Sequence, residues 1–408
     1  MSLRSRRQRD VWLTSVLGLL LLAAIPVLAI TGLLSNAAYD PRLGTNVLAQ
    51  GRSLGPFDFY LFPWPTQPSW LYAFTQGLHV TLGLAALPIV LAKLWSVLPG
   101  LRARAPRLRL ARSLERVTLV FLVGGVLFEF FTGIFEIEYY LPWHAELITA
   151  HYYGAWVLIV AFVLHAMVKL PAARHALATR RTMDELGLKP APAAVRPGAR
   201  VPALPAPTVT RRLVLGTAGA GSLLLLIQGA AQTIGGPVRR LGLLAPRGNE
   251  TGAGPNDFEI NGTASAAGLT SAQLGETWRL KLRSAGSGAT RQLSRAALLA
   301  LPQYTYSLPI ACREGWSTTQ SWTGVRLRDL AALAGEHGSP GLRMQSLDGA
   351  LATLAANQVA DERSLLALRV NGVALSPDHG YPARVIVPDT VGVNCLKWID
   401  SLEFGAQE

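Results

Sequence analysis

The chain has 408 residues, of which 50% are hydrophobic and only 15% are charged, and its mean hydropathy is +0.29. These values exclude an ordinary soluble protein of this length and indicate a membrane protein. The net charge of +13 raises the question of nucleic acid, but the arginines flank apolar runs without interleaved aromatic residues, which argues against a nucleic-acid partner.

Five apolar runs are each close to the length of about 20 residues that a helix needs to cross a membrane. They cover about residues 11–34, 73–97, 117–136, 150–171 and 213–234. The predicted fold class is therefore an all-α membrane bundle of five transmembrane helices, followed by an α+β domain.

Arginines are concentrated before the first run, between the second and third runs, and between the fourth and fifth. Because basic connections stay on the cytoplasmic side, this pattern predicts a cytoplasmic N-terminus and a periplasmic C-terminal domain. The predicted location is the cytoplasmic (inner) membrane of a bacterium, with several spans in contact with the lipid bilayer. A belt of aromatic residues is predicted at the outer headgroup level. It comprises Trp64, Trp70, Tyr72, Tyr139, Tyr140 and Trp143.

Residues 1–175 hold the first four runs, and residues 176–210 are rich in Pro and Ala, which indicates a cytoplasmic linker. The fifth run, within residues 211–236, begins with Arg211 and Arg212 and continues with Gly, Ala and Leu. This segment resembles a twin-arginine signal retained as an anchor, a route that exports domains already folded around a cofactor. The alternative is an ordinary span flanked by positive charge.

Residues 240–408 contain short β-like pieces separated by Gly, Pro, Asn and Asp turns. The pieces include TWRLKL, YTYSLPI, LALRVNG and ARVIVPD, and the stretch LRDLAALAG has helical character. These patterns predict an α+β domain that is large enough to bury its own core.

Two histidines, His79 and His151, lie early in the second and fourth runs, both of which start on the predicted outer side. Their imidazoles are expected at similar depth, as two axial ligands of one haem iron require. His165 is about four turns beyond His151 on the same helix face, which suits a second haem. Packing or quinone binding is the alternative for these histidines. Glu129 in the third run is interpreted equally well as a proton carrier or as a hydrogen-bond partner of a neighbouring helix.

With these histidines, about residues 8–175 resemble the cytochrome b subunits of respiratory dehydrogenases, such as the formate dehydrogenase membrane subunit. The resemblance implies haem b held by His79 and His151. Where that family has a further histidine in its first helix, this chain has Val11, so the resemblance leaves the second haem at His165 open.

Cys312 and Cys395 are the two cysteines of the chain, and both belong to the predicted periplasmic part. Two cysteines in an oxidising compartment are compatible with a disulfide. The alternative is a thiolate that binds a redox-active transition metal, which suits a soft sulfur donor.

The stretch SLPIACREGWSTTQSWTGVRLRDL resembles the sulfite oxidase superfamily, especially the branch of the methionine sulfoxide reductase catalytic subunit. The resemblance rests on a cysteine followed by a tryptophan and then by W-x-G-x-x-L, and it extends over about residues 250–408. It implies that Cys312 is a ligand of molybdenum carried by molybdopterin. For Arg313 and Trp316, lining the mouth of the site and bracing its loop are equally good interpretations. The residues implied near the cofactor are Asn256, Asn261, Ser346, His379, Arg384, Cys395 and Lys397.

The predicted function is that of a membrane-bound molybdenum oxidoreductase in electron transport. Electrons would pass between the quinone pool, haem b and a periplasmic molybdopterin site that acts on a small oxo-acceptor or oxo-donor, such as a sulfoxide or sulfite. An additional redox subunit is a candidate partner. One rival is a non-catalytic electron-transfer cytochrome b whose outer domain binds a redox partner, and another is the same enzyme without haem.

Overall fold

A computed structural model describes most of the chain, in eight segments. They are residues 3–38, 64–102, 110–137, 147–178, 210–243, 251–312, 314–338 and 340–405. The chain divides into two compact units, which are considered separately below. The first comprises Met1–Ile30, Thr81–Phe135 and Leu147–Ile227, and the second comprises Thr31–Val80, Glu136–Glu146 and Gln228–Glu408.

Within the described residues, the helical region contains five long helices, as the apolar runs predict. They are α1 (Leu3–Ala37), α2 (Leu71–Arg102), α3 (Leu110–Ile137), α4 (Leu147–Ala178) and α5 (Arg211–Ile234). All five are long and apolar enough to cross a membrane. Each helix extends beyond its apolar run at one end or both, so α4 includes the first residues of the predicted linker.

The first unit has a small core in which Trp12, Leu17 and Val214 pack together. Next to it, the Lys93 ammonium donates a hydrogen bond to the carbonyl oxygen of Thr14. A charged side chain in an apolar run is costly unless its donors find acceptors. The carbonyl of a neighbouring helix supplies such an acceptor for Lys93.

In the part of the second unit that the structure describes, the sheet-rich region has ten strands and four short α-helices. The strands are β1 (Arg279–Ser284), β2 (Thr290–Ser294), β3 (Tyr304–Ala311), β4 (Ser317–Arg326), β5 (Leu342–Ser346), β6 (Leu351–Leu354), β7 (Leu365–Val370), β8 (Val373–Ala374), β9 (Arg384–Ile386) and β10 (Ile399–Phe404). The helices are α6 (Ser271–Leu274), α7 (Arg295–Ala300), α8 (Leu327–Ala334) and α9 (Ala356–Ala360). This confirms the predicted change from a helical region to a sheet-rich domain.

The strands form two five-stranded sheets. In the first, the order is β2-β1-β10-β5-β6, and β1 pairs with β10 in parallel. In the second, the order is β3-β4-β7-β8, and β9 also pairs with β7. Alternate residues of the first sheet, such as Leu280 and Leu282 of β1, are buried together with one face of α8. The helix α8 ends at Gly335, whose φ of +90° is the left-handed conformation that favours glycine at a helix C-terminus.

The second sheet positions the cysteine-containing turn. Strand β3 pairs along its whole length with β4, from Tyr304 opposite Gly324 to Ala311 opposite Ser317. The fully buried Trp322 of β4 packs edge-on against Phe258. The hairpin therefore places Cys312, the residue after β3, at one end of a well-packed sheet.

Two aromatic residues of the predicted outer belt are buried inside the second unit. Trp64 and Tyr72 are 5% and 1% exposed, whereas Trp70 is 56% exposed. Trp64 Nε1 donates to the carbonyl oxygen of Asp389 at 2.7 Å. The belt prediction is thus wrong for Trp64 and Tyr72, because both residues pack against protein; Tyr139, Tyr140 and Trp143 lie outside the described residues.

Asp389 joins the sheets to the start of α2. Its Oδ1 accepts a hydrogen bond from the backbone N–H of Tyr72 at 2.6 Å. The first N–H groups of a helix have no partner within the helix, so a carboxylate there satisfies one of them. A second link is made by Arg363, whose Nη2 donates to the carbonyl oxygen of Thr66 at 2.9 Å.

Gly324 provides a test of the packing between β4 and β7. A Cβ at this position would overlap the carbonyl oxygen of Leu366 and lie 2.7 Å from the Cα of Ala367. We expect Gly324→Ala to lower the free energy of unfolding by about 1–3 kcal/mol, as overpacking does. Thermal unfolding of the detergent-purified protein measures this. The control Gly219→Ala, where a Cβ meets no described atom within 4 Å, is expected to leave Tm unchanged, and equal Tm values for the two variants would contradict the packing argument.

The buried carboxyl group of Asp389 leads us to expect that the free energy of unfolding falls as the pH rises. Burial raises the pKa of its carboxyl group from 3.8 to about 7. Because the pKa is higher in the folded protein, this contribution to stability is complete below about pH 4 and is lost as the pH rises through about 7. We expect Tm to fall by several degrees between pH 5 and pH 8, since 1 kcal/mol corresponds to about 2–4 °C in a domain of this size.

The variant Asp389→Asn keeps an oxygen acceptor for Tyr72 and is expected to abolish most of this fall in Tm. The exposed Asp257 gives the control, because Asp257→Asn removes a carboxylate without removing a buried one. A fall in Tm that is the same in Asp389→Asn and in the wild type would show that another group is responsible.

Candidate active site

Cys312 lies in a tight turn between β3 and β4 and is 7% exposed. Its N–H donates to the carbonyl oxygen of Trp316 at 3.0 Å, and its carbonyl oxygen accepts from the N–H of Gly315 at 3.1 Å. Gly315 has a φ of +90°, so the turn requires the conformational freedom of glycine there. Arg313, the other predicted residue of this turn, lies outside the described residues.

Trp316 is half-buried, and its Nε1 donates to Oε2 of Glu314 at 2.8 Å. Glu314 is itself buried, with 1% of its surface exposed. This internal hydrogen bond favours the interpretation that Trp316 braces the loop. Together with the backbone hydrogen bonds of Cys312 to Gly315 and Trp316, this bond stabilises the turn.

A second segment runs beside the Cys312 turn. Val391 forms a parallel bridge with Ala311, and a Cβ at Gly392 would lie 2.8 Å from the carbonyl oxygen of Ala311. The short helical turn Gly392–Asn394 follows and leads to Cys395. Gly392 thus allows this segment to approach the backbone of the cysteine turn closely.

Both cysteines are free thiols and both are buried. The Cys395 Sγ lies 3.8 Å from the carbonyl oxygen of Val387, and burial raises the pKa of its thiol. Of the two interpretations of the cysteines, the disulfide is not formed in this structure. The interpretation of Cys312 as a metal ligand stays a prediction.

Arg384 is a buried cation at the start of β9, with 4% of its surface exposed. Its Nε donates to the carbonyl oxygen of Cys395 at 3.1 Å and its Nη1 to that of His379 at 3.4 Å. Burial lowers the pKa of the guanidinium to about 10. Within the described residues these partners are neutral carbonyl oxygens, so the charge suits an anionic ligand.

Lys397 brings a second cation to the same place. It is 9% exposed, and its Nζ donates to the carbonyl oxygens of Gly262 and of Asp378, the latter at 3.1 Å. Gly380 lies between the two cations: a Cβ there would be 3.1 Å from the Cβ of Arg384 and 3.3 Å from that of Lys397. The φ of +109° at Gly380 also favours glycine.

His379 is buried and neutral. Burial, together with the positive charges of Arg384 and Lys397, lowers the pKa of its ring to about 4. Its Nε2 lies 3.2 Å from the carbonyl oxygen of Phe258, which accepts only, and its Nδ1 lies 2.8 Å from Oγ of Ser376. The ring therefore donates through Nε2 and accepts the Ser376 hydroxyl through Nδ1.

Asn256 connects the segment before β1 to this group. Its Nδ2 donates to the carbonyl oxygen of Ala374 at 3.2 Å, and its Oδ1 accepts from the N–H of Ser376 at 3.1 Å. Asn261 is half-buried and precedes Gly262, the acceptor of Lys397. The structure thus brings both asparagines next to the segments that hold the buried cations.

Ser346 is placed differently from the other predicted residues. It pairs with Ile399 at the end of β5, and its hydroxyl donates to the side chain of Asp348. Because that hydroxyl stabilises the turn before β6, the role of Ser346 in this structure is to shape the turn.

The side chains brought together fit a molybdopterin. Within the described residues, no group of three or more His, Cys, Asp and Glu side chains could hold a metal ion by itself. A metal carried by an organic cofactor needs fewer protein ligands, and Cys312 offers one soft sulfur. Arg384 and Lys397 supply the buried positive charge that the phosphate of the cofactor requires.

Two links between the Cys312 turn and the long helices were not predicted from the sequence. Thr233 Oγ1, near the end of α5, donates to the carbonyl oxygen of Gly315 at 2.7 Å. A Cβ at Gly315 would lie 2.8 Å from the Cβ of Val80 on α2, so only glycine allows this approach. The sequence shows a glycine after C-R-E, which marks a tight turn. The residues that this glycine contacts, Val80 and Thr233, are remote in the chain.

The predicted haem ligands are half-buried residues of α2 and α4. His79, in the second unit, has its Nδ1 3.3 Å from Oγ1 of Thr31. His151, in the first unit, has its Nδ1 2.8 Å from Oγ1 of Thr132 and 3.1 Å from Oε2 of Glu129. His165 lies further along α4 and is also half-buried.

Comparison with known proteins concerns the C-terminal part. Residues 268–408 match the family described as "Oxidoreductase molybdopterin binding domain". Human mitochondrial sulfite oxidase is 29% identical over 163 residues, which are 33% of this chain and 30% of that protein. The uncharacterized oxidoreductase YuiH of Bacillus subtilis is 33% identical over 114 residues, which are 28% of this chain and 58% of that protein.

Two further relatives extend this comparison. The NADH nitrate reductase of Volvox carteri is 30% identical over 144 residues, which are 27% of this chain and 17% of that protein. Among solved structures, the sulfane dehydrogenase SoxCD of Paracoccus pantotrophus matches with a TM-score of 0.30 and 23% identity, over 32% of this chain and 39% of that one. The chain thus spans from a sixth to just over half of the curated relatives named here. The C-terminal part of this chain is a molybdopterin-binding oxidoreductase domain of the sulfite oxidase type.

Proposed function

We propose that the chain is a membrane-bound molybdenum oxidoreductase. Electrons pass between the quinone pool, haem b in the helical region and molybdopterin in the C-terminal domain, which lies on the periplasmic side of a bacterial inner membrane. The bound molybdenum supplies oxygen-atom transfer to or from a small oxo-acceptor or oxo-donor. An additional redox subunit is a proposed partner.

The proposal assigns a role to each residue of the candidate active site. Cys312 is the protein ligand of molybdenum, held by the Gly315 and Trp316 turn. Arg384 and Lys397 neutralise the cofactor phosphate. Neutral His379 fixes the neighbouring backbone, because its ring forms hydrogen bonds with Phe258 and Ser376.

The single observation that supports electron exchange within this chain is the contact between the Cys312 turn and α2. Gly315 lies against Val80, the residue after His79. Thr233 holds the same glycine through its carbonyl oxygen. A molybdenum ligand and a proposed haem ligand therefore belong to segments in direct van der Waals contact.

The membrane location is supported by five helices of sufficient length and by the arginines of alternate connections. The pair Arg211 and Arg212 begins α5 directly. This supports a retained twin-arginine signal followed by export of the folded domain.

The haem is proposed from His79 and His151 as axial ligands, with His165 as the candidate for a second haem. In both His79 and His151, Nδ1 is close to a threonine hydroxyl. A haem-ligating histidine commonly bonds through Nε2 while Nδ1 is hydrogen-bonded to protein.

The substrate class is proposed from the relatives. Their names include sulfite oxidase and nitrate reductase, whose substrates are small oxo-anions. Arg313, the residue after Cys312, is proposed at the substrate side of the metal, and Trp316 is proposed to brace the loop beside it. The oxidoreductase family of the domain disfavours the rival of a non-catalytic cytochrome.

Metal analysis of Cys312→Ser tests the proposed function. We expect the detergent-purified variant to lose at least nine-tenths of the molybdenum, since a hard hydroxyl is a poor substitute for the soft thiolate. The control Ser307→Ala, on the exposed part of β3, is expected to keep the wild-type content. Cys312→Ser with full molybdenum would contradict the assignment and favour a non-catalytic cytochrome.

Reduced-minus-oxidised absorption spectra test the haem. We expect a b-type α-band in the wild type, its loss in His79→Ala and His151→Ala, and its retention in His175→Ala, an exposed histidine at the end of α4. A wild type that lacks this band would leave the molybdenum enzyme in place and remove the haem from the proposal.

A further inference from the structure

Glu129 is a carboxylate within the membrane-spanning part of α3 and faces a histidine of α4. Its Oε2 lies 3.1 Å from Nδ1 of His151, and its side chain is 11% exposed. An ionisable side chain at this depth is costly and is retained where it serves a function. The contact identifies the neighbouring group that Glu129 serves.

Thr132 defines which atom of the His151 ring carries a proton. Its Oγ1 is 2.8 Å from the carbonyl oxygen of Phe128 and 3.3 Å from that of Glu129. Because carbonyl oxygens only accept, the single hydroxyl proton of Thr132 points to the helix backbone. The same Oγ1 is 2.8 Å from Nδ1 of His151 and presents a lone pair to it. Nδ1 therefore carries a proton and donates.

Two glycines make room for this arrangement. A Cβ at Gly154 would overlap Oε1 of Glu129 and lie 2.6 Å from Cδ1 of Phe128. A Cβ at Gly133 would lie 3.2 Å from Cε1 of His151. The helices α3 and α4 thus approach closely at the Glu129–His151 pair.

We propose that Glu129 and Thr132 are positioning residues that hold His151 with Nδ1 protonated and its Nε2 lone pair directed to the iron of a b-type haem. The proposal rests on the proposed function, which places haem at His151. A metal-ligating histidine whose second nitrogen donates to a carboxylate is oriented and made more basic. A more basic ligand stabilises ferric over ferrous iron, so the contact with Glu129 lowers the reduction potential of this haem.

Potentiometric titration of the haem α-band in the full-length, detergent-purified protein tests the contact between Glu129 and His151. In Glu129→Gln the side chain keeps its size, but an amide replaces the carboxyl group that faces Nδ1. We expect the haem to remain bound and its equilibrium between ferric and ferrous iron to shift about tenfold towards ferrous iron, which is about 59 mV for one electron. The control Glu136→Gln removes a carboxylate two turns further along α3 and is expected to shift the potential less.

A second pair of variants covers the case in which Glu129→Gln fails to fold. Thr132→Val has nearly the same shape but removes the acceptor of the Nδ1 proton. We expect haem retention to fall about tenfold or more, as loss of an outer hydrogen-bond partner does for metal sites. Thr132→Ser restores the hydroxyl and is expected to restore haem content.

The outcomes distinguish this inference from the proposed function. A wild type without a b-type spectrum overturns both. A wild type with haem, together with an unchanged potential in Glu129→Gln and unchanged haem content in Thr132→Val, overturns the positioning role alone. A raised potential and a serine rescue support it.

Discussion

The buried positive charge of Arg384 and Lys397 is the constraint on which the rest of the domain depends, and Arg384 is linked to the Cys312 turn through the segment from Val391 to Cys395. Burying a cation away from water is unfavourable unless its donors are satisfied and its charge is balanced. Arg384 satisfies its donors with backbone carbonyls, and the carbonyl partners of Lys397 come from two different loops. Gly380 brings the two cations together, and their charges help to keep His379 neutral. An anionic cofactor supplies the balancing charge that this arrangement requires.

The loop after β9 and the cysteine turn attach the sheets to the first part of α2. Asp389 follows β9 and accepts from the start of α2, while Gly315 in the cysteine turn lies against Val80 of that helix. The segment that follows Asp389 also runs beside the turn, because Val391 pairs with Ala311. One set of contacts therefore determines both the proposed electron path and the position of the proposed molybdenum ligand.

Much of this architecture could be predicted from the sequence, because it follows from periodicity and composition. The five apolar runs predicted five helices, the turn residues predicted the sheet-rich domain, and the motif around Cys312 predicted its cofactor family. Contacts between remote segments could not be predicted in this way. The sequence predicts Trp64 and Tyr72 at the headgroup level, yet both residues are buried and form hydrogen bonds with Asp389, more than 300 residues later. The sequence left Glu129 open between two roles, since only the packing of α3 on α4 shows that it faces His151.

The central claim is that the sulfur of Cys312 binds molybdenum. X-ray absorption at the molybdenum edge tests it directly, on the detergent-purified wild type and on Cys312→Ser reconstituted with cofactor. The account predicts one sulfur neighbour fewer around molybdenum in the variant than in the wild type. The same number of sulfur neighbours in both proteins would contradict it.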